Sequence, residues 1–188
     1  MTTLFPDLFL PEGFHYDGDF LTIEEEEQLL TDIAEIELHP LVFQGFEAKR
    51  KVSSFGYDLS FDKRKLSRGK EIPPEFDFLI QKVADRIEIP KKEFAELLVT
   101  EYPVGSVINW HRDAPPFDVI VGISLLSDCI FRLRPYDKKK QTRNAIISFP
   151  VKQRSLYIIK GVARSEWEHS IPAVKQMRYS ITLRTLRQ

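Results

Sequence analysis

The sequence predicts an α+β protein that is mainly β, with a double-stranded β-helix (jelly-roll) core and N-terminal helices packed outside it. Short apolar segments recur from Phe94 onward with turn residues between them, which is typical of an all-β barrel or sandwich. Continuous apolar runs such as residues 119–126 indicate strands that are buried on both faces. Two helical patterns precede Phe94, so we expect the helices to cover the core from outside.

The N-terminal segment combines an aromatic arm with the first predicted helix. Residues 1–21 hold many aromatic and leucine side chains without a regular period, so we expect an irregular arm that packs on the domain. Thr22 and Glu25 form a capping box that predicts the start of a helix. The apolar positions that follow helical spacing are Leu29, Leu30, Ile33 and Ile36.

Two strands and a second helix are predicted before the core. Residues 41–61 are expected to form two strands about a basic turn, with Gly45 and Gly56 as breaks. After a polar loop, Pro73 and Pro74 mark the start of the second helix. Its expected apolar face consists of Phe76, Leu79, Ile80, Val83 and Ile87.

The core strands are predicted from the remaining apolar segments. They lie at residues 94–102, 118–128, 129–135, 144–151, 154–161 and 178–186. A chain of 188 residues suffices for one domain with a substantial core. We therefore expect a single domain over residues 1–188, with an N-terminal extension at 1–93 and the jelly-roll core at 94–188.

Several features of the sequence predict the cellular compartment of the protein. No run of about 18 apolar residues occurs, so no membrane span is predicted. The first residues lack the basic and apolar regions of a secretory signal. The single cysteine, Cys129, excludes an internal disulfide and fits a reducing compartment. We expect a monomer in the cytoplasm.

A His-x-Asp motif is formed by His111 and Asp113, whose side chains share one face of an extended segment. A second such motif begins at His15, but no strand pattern precedes it, whereas an apolar run and a Pro-Val-Gly turn precede His111. A third ligand must come from a distant strand, and His39 and His169 are the remaining histidines. Of these two, only His169 precedes a strand that carries two arginines.

Two imidazoles and one carboxylate suit a non-haem Fe(II) ion, because three ligands on one octahedral face leave positions open for a co-substrate and dioxygen. The strand after His169 places several polar side chains on one face. They are Arg178, Ser180, Thr182 and Arg184. Two guanidiniums suit a dicarboxylate, since planar forks bind carboxylates bidentately.

The order of these features is more specific than any one of them. A tyrosine, a turn, His-x-Asp, apolar strands, a histidine and Arg-Tyr-x-x-Thr-x-Arg follow one another, and this order resembles the AlkB-like family of Fe(II)/2-oxoglutarate dioxygenases over nearly the whole chain. The resemblance implies Fe(II), 2-oxoglutarate and O2 as cofactor and co-substrates. It also implies that His111, Asp113 and His169 are the iron ligands.

The resemblance further implies a co-substrate pocket. Arg178 matches the arginine that pairs with the distal carboxylate of 2-oxoglutarate, and Tyr102 matches a tyrosine that hydrogen-bonds the co-substrate. Arg184 matches a second arginine near the iron-chelating end of the co-substrate and the metal-binding aspartate, so we assign it to both the catalytic and the co-substrate-binding sets. Thr182 and Thr100 are also expected to contact the co-substrate, and Thr100 stands where many nucleic-acid-repairing members have asparagine.

A further departure concerns the substrate. Many family members carry a second aspartate, used on the substrate base, at the position of Pro115. Phe55 and Tyr57 lie where relatives carry part of a substrate lid, within the N-terminal extension. Aromatic residues with basic neighbours can stack a flipped base and bind phosphates. An ordinary strand role for Phe55 and Tyr57 is an equal alternative.

The net charge of −1 excludes a uniformly basic nucleic-acid binder, but basic residues are clustered. The candidate basic contacts are Arg50, Lys51 and Arg112, together with Lys49, Lys63, Arg64, Lys65, Arg132 and Arg134. Strand alternation leaves open whether Arg132 and Arg134 line the mouth of the barrel or face solvent. Trp110 is interpreted as a core or rim aromatic rather than a stacking platform.

The leading functional hypothesis is oxidative removal of N-alkyl groups from nucleobases in DNA or RNA. One alternative keeps the mechanism but changes the substrate, to a modified tRNA uridine that is hydroxylated or to a protein side chain that is demethylated. A second alternative is a catalytically silent nucleic-acid-binding module on the same scaffold. The intact ligand and arginine positions argue against this silent module.

Overall fold

The computed structural model describes residues 10–43, 45–60 and 65–187 and folds them around two antiparallel sheets. The strands are β1 (Phe14–Asp17), β2 (His39–Phe43), β3 (Phe46–Ser60), β4 (Lys65–Arg68), β5 (Phe94–Tyr102), β6 (Ile108–His111), β7 (Phe117–Leu125), β8 (Cys129–Pro135), β9 (Ile147–Val151), β10 (Leu156–Ile159), β11 (Trp167–Ile171) and β12 (Arg178–Leu186). The helices are α1 (Ile23–Ala34), α2 (Asp77–Ile87) and α3 (Gly161–Glu166).

The larger sheet, called here the large sheet, has the order β1-β10-β7-β12-β5-β3-β2, and β4 pairs with β3. The small sheet has the order β6-β11-β8-β9. The strands from β5 to β12 therefore divide four and four between two facing sheets, which is the jelly-roll arrangement. The predicted mainly β architecture is confirmed.

Two apolar layers hold the fold together. One lies between the large sheet and the helices, where residues such as Leu29, Leu79 and Leu97 are fully buried. The other fills the barrel between the two sheets and contains Phe131 and Phe149. Strand β7 contributes to both layers, which explains its continuous apolar sequence.

Both predicted helices form. The capping box of α1 is present, since the Glu25 amide donates to Thr22 Oγ1 and the Thr22 amide donates to Glu25. A 3-10 turn at Pro74–Phe76 leads into α2, whose buried residues include Leu79 and Val83. Within the described residues, no helix combines the length and the apolar character needed to cross a membrane.

Several local predictions differ from the structure. Gly56 does not end a strand, because β3 runs from Phe46 to Ser60, and β4 (Lys65–Arg68) forms within the predicted polar loop. The arm is not irregular throughout, because Phe14–Asp17 pairs with β10 and extends the large sheet. The basic residues Lys49–Lys51 lie inside β3 rather than in a turn, and the turn instead contains Gly45 with φ of 77°. Strands β6 and β11 were not predicted as separate strands, because they are short and rich in polar and aromatic side chains. The residues before Phe94 thus contribute strands to the same sheet as the core.

Candidate active site

Strand pairing in the small sheet brings the two predicted histidine ligands together. His111 on β6 lies directly opposite His169 on β11, with ring centroids 4.3 Å apart. Asp113 follows β6, and the ligand atoms of all three residues lie within 4.8 Å of one another. Among the described residues this is the one group of three or more such side chains arranged to hold a metal ion. His15 and His39 lie on other strands.

Both histidines are oriented to offer a ring nitrogen to a metal ion. His111 Nδ1 donates to the carbonyl of Asn109 at 2.9 Å, which leaves Nε2 as the ring nitrogen available to a ligand. Burial, with His111 close by, lowers the pKa of His169 to about 3. The 3.6 Å contact between His169 Nε2 and Asp113 Oδ2 therefore joins a neutral ring to a carboxylate at neutral pH. A neutral imidazole and an ionised carboxylate are the ligand forms of these groups.

Arg184 orients the carboxylate of Asp113. Its Nη2 and Nε atoms donate to Asp113 Oδ1 at 2.8 and 3.1 Å, and Nη1 donates to Glu96 Oε2 at 2.6 Å. Burial alone would raise the pKa of Asp113, but Arg184 and neighbouring positive groups outweigh it and hold that pKa well below its usual range. Because Arg184 uses Oδ1, Oδ2 is left to face His169.

A buried arginine, Arg164 of α3, fixes the backbone around the aspartate. Its Nη2 atom donates to the carbonyls of Asp113, Ala114 and Phe117 at 3.0, 2.8 and 3.0 Å. These bonds hold the turn that carries the ligand. Arg164 was not predicted from the sequence, because it belongs to no motif and reaches this turn only through the fold.

The predicted co-substrate arginine lies inside the barrel. Arg178 is 1% exposed, and its Nε donates to Ser124 Oγ at 3.2 Å. Its Nη1 and Nη2 atoms are buried and have no hydrogen-bond partner among the described residues. Such groups are costly unless an acceptor satisfies them, and a carboxylate fits a guanidinium fork. The pocket therefore suits the distal carboxylate of 2-oxoglutarate.

The other predicted pocket residues surround Arg178. Its guanidinium carbon lies 4.8 Å from the ring centre of Tyr102, whose hydroxyl lies 3.3 Å from Ser180 Oγ. Thr100 is the cross-strand partner of Ser180, and Thr182 is two residues further along β12. Both threonines are buried and share the strand face of Arg178.

One interior residue was missed by sequence reasoning. Tyr157 of β10 pairs with Gly122 of β7, and a Cβ added at Gly122 would lie 2.1 Å from the tyrosine ring. The ring therefore occupies the space that the glycine leaves open. Burial raises the pKa of the Tyr157 phenol. The available signal was Gly122 itself, since glycine inside a strand marks a close approach.

The two predicted lid residues, Phe55 and Tyr57, have different surroundings in the structure. Phe55 is 7% exposed and packs in the layer between the large sheet and the helices, so we remove it from the candidate base-stacking set. Tyr57 is 36% exposed. Gly56, with φ of 85°, separates the two aromatics. Lys63 and Arg64, with the side chain of Lys65, lie outside the described part of the chain.

The basic residues of β3 support the loop that leads to β6. Lys49 Nζ donates to the carbonyl of Val104 at 2.9 Å, and Arg50 Nη1 donates to that of Val107 at 3.1 Å. Lys51 forms an ion pair with Glu101 at 3.0 Å. Arg50 and Lys51 therefore remain candidates for the rim, but each already has a protein partner.

Arg112 directly follows His111 and is also anchored. Its Nη1 donates to the carbonyl of Ser165 at 2.7 Å, and its guanidinium carbon lies 3.5 Å from the ring centre of Tyr136. Phe131 and Leu133 of β8 are buried inside the barrel, so the alternating Arg132 and Arg134 face outward. Arg132 and Arg134 therefore lie on the outer side of the small sheet and do not line the mouth of the barrel.

Comparison with known proteins gives a consistent result. A family model described as the 2OG-Fe(II) oxygenase superfamily matches residues 31–185. The chain is 27% identical to the Alkylated DNA repair protein ALKBH8 homolog of Arabidopsis thaliana, covering 90% of this chain and 57% of that protein. It is 25% identical to tRNA (carboxymethyluridine(34)-5-O)-methyltransferase alkbh8 of Xenopus tropicalis, covering 86% and 25%.

The fold comparison agrees with the sequence comparison. The solved structure of OsALKBH1 superposes with a TM-score of 0.73 at 13% identity, covering 95% of this chain and 99% of that one. The two curated relatives are longer than the region they share with this chain, which spans about half of the Arabidopsis protein and a quarter of the Xenopus protein. The similarity therefore covers most of this chain but only part of each curated relative.

Proposed function

The chain belongs to the 2OG-Fe(II) oxygenase superfamily as an AlkB-like member, and on that premise we propose that it oxidatively removes N-alkyl groups from nucleobases in DNA or RNA. It is an Fe(II)/2-oxoglutarate-dependent dioxygenase. The observation that carries the proposal is the pairing of the His-Asp-His group with a buried guanidinium that has two unsatisfied nitrogens. That combination suits a metal and a dicarboxylate side by side.

The residues have distinct tasks in this proposal. His111, Asp113 and His169 would hold Fe(II), and Arg178 would bind the distal carboxylate of 2-oxoglutarate, flanked by Tyr102 and Thr182. When bound, Fe(II) with 2-oxoglutarate and O2 supplies the oxidising power for C–H hydroxylation, and 2-oxoglutarate ends as succinate and CO2. Arg184 keeps Asp113 ionised and turned toward His169. The buried aromatic layer around Phe131 limits access of water.

Nucleic acid is the favoured substrate class. We propose that Arg50, Lys51, Arg112 and the exposed Tyr57 contact this substrate, since cations and an aromatic ring suit phosphates and a base. The Arabidopsis relative is called an alkylated DNA repair protein. An N-methyl group hydroxylated at this site would leave as formaldehyde and restore the base.

Hydroxylation of a modified tRNA uridine is the second candidate. Pro115 replaces the second aspartate that many base-repairing members use, so one contact to an alkylated base is missing. The Xenopus relative is named for a modified tRNA uridine. The two candidates share every residue of the metal and co-substrate site and differ only in the base.

The test is turnover of the purified protein with Fe(II), 2-oxoglutarate and a panel of substrates. Methylated DNA and RNA oligonucleotides, modified tRNA and methylated peptides would be compared by mass spectrometry, with succinate measured in parallel. Loss of a methyl group together with formaldehyde supports the proposal. A stable gain of one oxygen on tRNA favours the second candidate. Coupled turnover of a peptide alone, or no substrate-stimulated succinate, contradicts the proposal.

A further inference from the structure

The outer face of the small sheet carries an ordered group of cationic and aromatic side chains. Alternation places His111 of β6 inside the barrel and Trp110 outside it, and it places Arg132 and Arg134 of β8 on the same outer side. Arg112 and Tyr136 continue this group at the strand ends. We call these five residues, Trp110, Arg112, Arg132, Arg134 and Tyr136, the arginine face.

The guanidiniums of this face are held in place before any ligand binds. The guanidinium carbons of Arg134 and Arg132 lie 4.3 and 5.0 Å from the ring centre of Trp110. Arg132 Nε donates to Ser170 Oγ at 2.9 Å, and Arg134 pairs with the buried Glu168. A fixed planar fork loses less conformational entropy on binding an oxyanion than a mobile side chain does.

The charge of this region contrasts with that of the whole chain. Residues 129–143 hold six lysines and arginines and one acid, whereas the complete chain has a net charge of −1. The one acid, Asp137, accepts from the Lys139 amide at 2.9 Å and caps the 3-10 turn Lys138–Lys140. All three lysines of that turn are exposed. A concentrated positive field of this kind attracts a polyanion.

One end of the arginine face, at Arg112, lies next to the metal ligand His111. Arg112 is adjacent in sequence to His111, and its guanidinium covers Tyr136 at the end of the arginine-bearing strand. Tyr136 and Ile130 are 49% and 45% exposed, so apolar surface lies beside the cations. Cations with exposed aromatic and apolar surface suit the phosphates and unstacked bases of a single strand.

We infer that the arginine face and the lysine turn Lys138–Lys140 bind the phosphate backbone of a single-stranded nucleic acid. The entry of a base beside His111 rests on the proposed function. Binding of the phosphate backbone to this surface can be measured without turnover. The surface lies on the opposite side of β6 from the metal group, so a strand would pass over the edge of the small sheet to reach it. RNA and DNA share the phosphate chemistry, and both are included in the test.

The experiment compares two pairs of lysines that both lie in 3-10 turns. Lys139→Gln/Lys140→Gln changes the proposed surface, and Lys91→Gln/Lys92→Gln changes a second lysine-bearing 3-10 turn before β5. Fluorescence anisotropy with single-stranded RNA and DNA oligonucleotides is measured at several salt concentrations, and thermal unfolding midpoints establish that each variant is folded. The salt slope is about −0.7 per phosphate contact.

The expected result is specific to the proposed surface. Losing two phosphate contacts should weaken oligonucleotide binding about 15-fold near physiological salt and flatten the salt slope by about 1.4 units. Arg132→Gln should weaken it by about fourfold, because one contact is lost. The Lys91/Lys92 variant should bind as the wild type does.

Three results would overturn the inference. They are unchanged binding in the Lys139/Lys140 variant, an equal loss of binding in both lysine variants, and a polyglutamate chain that binds as tightly as the oligonucleotides with the same dependence on Lys139 and Lys140. If binding depends on these lysines but no alkylated base is oxidised, the proposed function is refuted and this surface remains supported. Oxidation of a base by a protein whose binding ignores these lysines would do the reverse.

Discussion

Arg178 and Arg184 lie six residues apart on β12, and both point into the barrel, yet their surroundings differ. Arg184 donates to two carboxylates, those of Asp113 and Glu96. Arg178 is more deeply buried, and among the described residues its one hydrogen-bond partner is the neutral hydroxyl of Ser124. The charge at the metal end is thus balanced within the protein, while the charge at the co-substrate end is not.

This difference indicates that Arg184 stabilises the folded protein, whereas Arg178 is placed to bind an anionic ligand. Removing a charge from water is costly, and a protein counter-charge offsets that cost permanently. Where no counter-charge exists, an anionic ligand can offset it instead, and the ligand then gains affinity from the same imbalance. Arg184 is therefore expected to stabilise the folded chain, whereas Arg178 is expected to be retained for its ligand.

The largest effect is expected at the metal group itself. His111→Ala or His169→Ala should abolish turnover while leaving the Arg184–Asp113–Glu96 contacts in place, because a triad without one ligand binds Fe(II) poorly. Succinate formation and Mn(II) binding would be measured for each variant, with His39→Ala as the control. If turnover survives in the His169 variant and is lost in the control, the ligand assignment fails.

The next effect tests the balanced arginine. Arg184→Met leaves the buried carboxylates of Asp113 and Glu96 without their partner, which should lower the free energy of unfolding by about 3–5 kcal/mol. Urea denaturation of the metal-free protein measures this. Added Mn(II) should recover part of the loss by neutralising Asp113. A metal-free variant as stable as the wild type would remove the distinction between the two arginines.

The unbalanced arginine should behave in the opposite way. Arg178→Met should leave the metal-free protein at least as stable as the wild type, because it removes a buried charge with no protein counter-charge. It should weaken 2-oxoglutarate binding by about 1.5–3 kcal/mol, or about 10- to 150-fold. Calorimetric titration of the Mn(II)-loaded protein measures this affinity. An unchanged affinity would show that the unsatisfied nitrogens serve another group.

The smallest effect concerns the aromatic neighbour of Arg178. Tyr102→Phe keeps the ring and removes the hydroxyl that lies 3.3 Å from Ser180, so 2-oxoglutarate affinity should fall by about 0.5–1.5 kcal/mol. Tyr179→Phe is the matched control, since Tyr179 neighbours Ser180 but donates to Glu101 instead. Similar losses in both variants would exclude a specific role for Tyr102.

Sequence periodicity and motif order predicted the metal group and β12 because those signals are local. Arg178 and Arg184 share one face by strand alternation, and Asp113 lies two residues after His111, just beyond the end of β6. The sequence left a lid role and an ordinary strand role open for Phe55, because a single sequence does not say whether its strand face meets helices or solvent. The structure places Phe55 beneath the helices because α1 and α2 cover that side of the large sheet.

The residues that were missed act across long distances in sequence. Glu96 reaches Arg184 only because β5 pairs with β12, and Arg164 reaches the Asp113 turn from a helix 51 residues later. Strand β1 is four residues long, too short for periodicity to reveal. Pairing partners of this kind are set by tertiary structure, so a single sequence does not specify them.

The contact between Gly122 and Tyr157 has a consequence for how this barrel can diverge. No Cβ fits at residue 122 while the tyrosine ring lies where it does, so the two positions are not free to vary independently. Replacement of Gly122 by a larger residue requires that Tyr157 first be replaced by a smaller one. If Gly122 changes first, the new side chain clashes with the Tyr157 ring. Inheritance of the pair as one unit would preserve the shape of the pocket beside Arg178 while the rim around it changes.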